Sequence, residues 1–144
     1  MIHEDTIKLL KECDAGIKMG MESINEVIDY VKSKQLKDDL INCLNEHQQL
    51  IHDIDKLLDQ YHDDGKEVNF MAKSMSWLKT NVMLIVNESD QTIADLMYDG
   101  CNMGVKSLHR YLNQYVAASE EVKLLCKKII KSESELAINI RKYL

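Results

Sequence analysis

A ten-residue stretch occurs twice in this chain, as Ala15-Gly16-Ile17-Lys18-Met19-Gly20-Met21-Glu22-Ser23-Ile24 and as Asp99-Gly100-Cys101-Asn102-Met103-Gly104-Val105-Lys106-Ser107-Leu108. Four positions are identical, and the offset is constant, because 100 minus 16 and 107 minus 23 both give 84. Similarity at a fixed offset predicts one helical hairpin used twice, so what holds for one half should be tested on the other. The copies contain four of the five glycines. Each interior glycine costs a helix about 1 kcal/mol relative to alanine, so something must offset it. Gly16 and Gly20, like Gly100 and Gly104, are four apart and share a face. The expected compensation is close packing of another helix at a pseudo-symmetric centre; space for a ligand is the other reading.

The chain has no proline, the residue that most often ends or kinks a helix. With long rows of apolar residues at three- and four-residue spacing, this predicts a nearly all-helical protein. Helix 1 is expected from about Glu4 to Val31, with Ile7, Leu10, Ile17, Met21, Ile24, Ile28 and Val31 inward and one interruption at Asp14. A short link, Lys32 to Gln35, permits only an antiparallel neighbour. Helix 2 is expected from about Leu36 to His62, with His47 the one polar member of its inward row. Helix 3 begins at Ser89 or Asp90, both good N-caps, and reaches about Val116. Ser119 caps helix 4, whose inward row from Val122 to Tyr143 is interrupted by Glu133.

Between the hairpins, Asp63-Asp64-Gly65-Lys66 breaks the pattern. The residues from Val68 to Val86 are apolar around much of a helical circumference, which predicts a short helix across the bundle. A link of that length lets helices 2 and 3 run parallel. Phe70, Met71, Met75, Trp77 and Leu78 form a polarizable apolar surface of the kind found at adaptable interfaces. It either covers the bundle or supports a homodimer or another protein partner.

With 144 residues, 45% of them apolar, one core and a single domain over 1–144 are expected. The hairpins span about 4–63 and 90–144, and the crossover about 64–89. A net charge of −6 argues against nucleic acid as a partner. No apolar run is long enough for membrane insertion, and the first residues lack a signal-peptide pattern, so a cytoplasmic protein is expected. Cysteines 13, 43, 101 and 126 show no metal-ligand spacing and are expected to be free thiols.

The motifs LLKECDAGIKMG (Leu9 to Gly20), Trp77-Leu78-Lys79 and DLMYDGCNMGVKSLHR (Asp95 to Arg110) together resemble the ferritin-like domain family of uncharacterised bacterial proteins, a domain of unknown function. The resemblance covers nearly the whole chain. It implies a ferritin-like four-helix bundle of two hairpins joined by a long crossover, and self-association, but no activity. Ferritin-like di-metal proteins use one glutamate from each of two helices and a Glu-x-x-His from each of the other two. On this resemblance the single glutamates fall on Ile17 and Cys101, and the three-residue pairs fall on Leu44 with His47 and Ile130 with Glu133. An intact carboxylate cage is absent, and no di-iron chemistry is expected.

Asp14, His47, Cys101 and Glu133 are left, one polar group per helix on otherwise apolar seams. A buried ion pair of Glu133 with protonated His47 would satisfy both. The sharper alternative is a single zinc, iron or manganese ion held by His47, Glu133, Cys101 and Asp14, all acceptable ligand types. Nucleophilic catalysis by Cys101 with His47 lacks an orienting third group. The expected function is a non-catalytic structural or protein-interaction module without a cofactor; a metal-binding or redox protein is the runner-up.

Overall fold

The computed structural model describes residues 2–61 and 89–144, and the side chains of these from residue 4 onward. Four long helices carry the fold: α1 (Ile2–Val27), α2 (Lys34–Gln60), α3 (Asp90–Gln114) and α4 (Glu120–Ile140). Short 3-10 turns follow α1 at Ile28–Tyr30 and α4 at Arg141–Tyr143. There is no strand among the described residues. The expected crossover helix, with Phe70, Met71, Met75, Trp77 and Leu78, lies outside them.

Hydrogen bonds at the helix ends set the directions. The backbone N–H groups of Lys32 and Ser33, in the α1–α2 link, donate to the two carboxylate oxygens of Asp90 at the start of α3, both at 2.8 Å. At the other end, the Ala117 N–H donates to Asp5 (3.1 Å) and the Ser119 N–H to the Thr6 hydroxyl (2.8 Å), both at the start of α1. The start of α3 therefore lies at the first link and the start of α1 at the second. So α2 and α3 run parallel, as do α1 and α4, while each hairpin is antiparallel. Around the bundle α1 touches α2 and α3, α4 touches the same two, and α1 meets α4 across the centre. The end of α2 and the start of α3 lie at opposite ends of the bundle.

The caps follow from local chemistry. The Ser33 hydroxyl accepts from the Leu36 N–H and that of Ser119 from the Val122 N–H, satisfying one orphan amide at the start of α2 and of α4. Ser89 has the extended backbone of an N-cap but no side-chain cap bond. Asp90 next to it instead ties the two hairpins together. That tie also explains why α1 gives way to a 3-10 turn before Val31: the amides of Lys32 and Ser33 point at α3.

The core forms two apolar clusters. One joins Ile24, Leu36, Leu40, Ile93, Met97, Leu136 and Ile140. The other joins Leu9, Leu10, Ile17, Ile54, Leu108, Val122 and Ile129. Cys13 and Val27 of α1 are fully buried, whereas Ile7, Met21, Ile28 and Val31, expected to face inward, are half-buried. All four cysteines are buried and free. No helix among the described residues is long and apolar enough to cross a membrane.

Asp90→Ala removes both acceptors for the first link and leaves two N–H groups without their charged partner. It is expected to lower stability by about 1–3 kcal/mol in urea denaturation, against about 1 kcal/mol for the simple cap loss in Ser119→Ala.

Candidate functional site

Where the two apolar clusters meet, α2 and α4 face each other through polar groups. His47 and Glu133 stand at matching places, since 47 minus 33 and 133 minus 119 both give 14 from the capping serines. His47 Nε2 lies 2.8 Å from Glu133 Oε1. The imidazole is fully buried and Glu133 is 8% exposed. On the other side of the ring, Nδ1 lies 3.4 Å from the Ser132 hydroxyl and 3.7 Å from Cys43 Sγ. The Cys43 and Ser132 side chains are themselves 3.6 Å apart.

Burial by itself would push the His47 pKa down. Its hydrogen bonds to Cys43 and Glu133, with the negative charge of the Glu133 carboxylate, outweigh burial and raise it to about 10. The imidazole is therefore protonated at neutral pH, with Nε2–H donating to Glu133. A protonated imidazole committed to a carboxylate is neither a free base nor a metal ligand.

Cys101 is buried on α3 near Glu133; burial first, and then that neighbouring negative charge, push its thiol pKa strongly up. A thiol held neutral is a poor nucleophile and a poor ligand. Cys13 is likewise raised, by its hydrogen bond to Cys126 and by burial. Asp14 is fully buried, with Oδ2 accepting from Lys18 Nζ at 2.9 Å and Oδ1 without a hydrogen-bond partner. Of the four sequence candidates, His47 and Glu133 meet directly and Cys101 joins them through Glu133. Among the described residues no group of three or more His, Cys, Asp or Glu is arranged to hold a metal ion.

Sequence reasoning missed Cys43 and Ser132. The signal was present for Cys43, four residues before His47 and hence on the same face. Ser132 beside Glu133 gave none, because its role depends on how α4 is turned toward α2.

The repeated glycines differ in their surroundings. A Cβ at Gly20 would stand 2.9 Å from Glu133 Oε1 and 3.1 Å from His47 Nε2, so this glycine makes room for the ion pair. At Gly16 the nearest atom is a Leu108 methyl at 3.8 Å, ordinary contact. At Gly100 and Gly104 nothing among the described residues lies within 4 Å. Close packing is expected at all four; among the described residues Gly16 and Gly20 have such neighbours and Gly100 and Gly104 have none. Both glycine faces border a cleft of about 410 Å³ between α1 and α3, with Glu133 in its lining.

The chain matches no family model, no curated protein and no solved structure.

Two outcomes test this geometry. Gly20→Ala is expected to destabilise the fold by about 1–3 kcal/mol through overpacking against the ion pair. Gly104→Ala is expected to stabilise it by about 0.5–1 kcal/mol through helix propensity, and chemical denaturation of both variants reads the difference. The second outcome concerns pH. A folded pKa near 10 against an unfolded value of about 6.5 means that the native state binds the extra proton between these limits. The stabilisation is complete below about pH 6.5 and is lost as pH rises toward 10. Stability measured from pH 6 to 10 should fall by more in the parent than in His47→Gln, which has no proton to lose.

Proposed function

We propose that the chain is a ferritin-like bundle of two related hairpins, in which an ion pair stands where metal-bearing members of that fold class hold their ions, and that it acts as a non-catalytic structural or protein-interaction module. The observation that carries this reading is the 2.8 Å contact between His47 and Glu133, at matching places on α2 and α4. In the di-metal arrangement those helices supply Glu-x-x-His pairs and the other two supply single glutamates. Here the corresponding positions hold Leu44 with His47, Ile130 with Glu133, Ile17 and Cys101. His47 and Glu133 satisfy each other at 2.8 Å, which favours structure over chemistry at that pair.

The helix directions support the ferritin-like assignment, because parallel α2 and α3 need one long crossover, whereas a simple up-down bundle needs none. The reciprocal ties, Asp90 to the first link and Asp5 and Thr6 to the second, support the duplication. Self-association is proposed through the sequence segment that carries Phe70, Met71, Met75, Trp77 and Leu78.

The test is the metal content per chain, with the mass in solution, of protein purified without chelator or affinity metal. A metal-free oligomer that dissociates on Trp77→Asp is the expected result. Near-stoichiometric zinc, iron or manganese that disappears in His47→Gln would overturn the reading in favour of a rebuilt metal site.

A further inference from the structure

The cleft between α1 and α3 measures about 410 Å³, inside the range of roughly 300–1,000 Å³ in which proteins enclose small molecules. The two glycine faces form its sides, and Ile129, Glu133 and Leu136 of α4 contribute to its lining. Two glycines in the middle of a helix each sacrifice about 1 kcal/mol relative to alanine. At Gly20 the ion pair explains that cost. Gly100 and Gly104 have no such neighbour among the described residues, so packing within the described bundle does not account for them.

A second observation, independent of the glycines, indicates what would fit. Glu133 is more than nine-tenths buried, yet it borders the cleft. A carboxylate offers about four lone-pair sites. His47 takes one through Oε1, so capacity is left for an incoming donor. His47 is not part of the lining, and among the described residues the lining holds no lysine, arginine or histidine, whereas Glu12 borders it along with Glu133. Against these residues an anionic ligand would lose its hydration and find no cation to replace it. An ammonium group would make a charge-assisted hydrogen bond, about twice as strong as a neutral one, in partly desolvated surroundings.

We infer that the cleft between α1 and α3 binds a small apolar molecule carrying an amine, its body lying against the bare glycine faces and its ammonium N–H groups donating to the Glu133 carboxylate. The occupant is an amphipathic cation; fatty acids and other apolar anions are selected against. This binding is separate from the structural role of the ion pair and survives if the bundle proves not to be ferritin-like.

The experiment is a titration of the nitrogen-15-labelled full chain with octylamine, and separately with octanoate, followed through backbone amide resonances. Glycine amides resonate apart from most others, and four of the five glycines border the cleft. Saturable shifts of Gly16, Gly20, Gly100 and Gly104 with octylamine are expected, with octanoate binding at least about tenfold more weakly, as one or two lost charge-assisted contacts imply. Gly104→Leu places a side chain in open space and should weaken octylamine binding by a similar factor while the chain stays folded; Gly100→Leu is the second blocking variant. The inference is overturned by the absence of saturable shifts at these glycines, by octanoate binding as well as octylamine, or by undiminished binding in both folded leucine variants.

Discussion

The ion pair between His47 and Glu133 is the constraint around which the interior is arranged. Two charged groups at the centre of an apolar bundle are costly to desolvate, and they are tolerated only when geometry and further hydrogen bonds satisfy them. Here the geometry is a 2.8 Å contact, and Ser132, Cys43 and Cys101 supply the surrounding partners. The pair divides the core into two apolar clusters and fixes the axial register of α2 against α4, since a slip of one turn would leave both charges unpaired. It also bears on the backbone opposite it: a Cβ at position 20 would stand 2.9 Å from Glu133 Oε1, so the pair would have to shift to admit one.

The ends of the bundle use the same economy of polar groups. The link within each hairpin has amides bonded by side chains from the start of a helix in the other hairpin, and each contains a serine that caps the next helix. Such links cost little loop entropy and leave few orphan donors. They hold the hairpins in one relative orientation at both ends, while the ion pair ties α2 to α4 in the middle. A bundle pinned at three levels can keep a cleft open between α1 and α3 without collapsing into it.

That cleft separates the two copies of the repeated motif in role. On α1, Gly20 makes room for the ion pair; on α3, Gly100 and Gly104 have no neighbour within 4 Å among the described residues. One explanation therefore does not serve both copies. The ion pair at the metal position of the proposed fold class argues against redox or hydrolytic chemistry. The cleft beside it, bordered by one of the paired carboxylates, fits binding better than catalysis. Structural support and recognition of a small amphipathic cation are compatible in one bundle, because the first uses the His47 side of Glu133 and the second uses its cleft side.

Most of the helical framework was legible in the sequence. The absence of proline, the apolar rows, and the capping chemistry at Ser119 located four helices to within a few residues, since these are local preferences of the backbone and of side chains one turn apart; the cap at Ser33 came from the structure. Asp14, His47, Cys101 and Glu133 were also visible, as polar breaks in apolar seams. Their relations were not legible: a row of residues says which face is inward, but not which inward groups meet. Only the packing of α2 against α4 set His47 on Glu133 and added Ser132, whereas Cys43 beside His47 and Lys18 beside Asp14 are pairs four residues apart on one helix. The glycines show the same limit, because periodicity places Gly16, Gly20, Gly100 and Gly104 on shared faces, whereas the distance between those faces depends on side chains from other helices. The sequence by itself determined the helices, their caps and the polar positions, all set within a few residues of chain; the tertiary structure decided the partners, the protonation of His47 and the cleft, because those depend on atoms more than eighty residues apart in sequence.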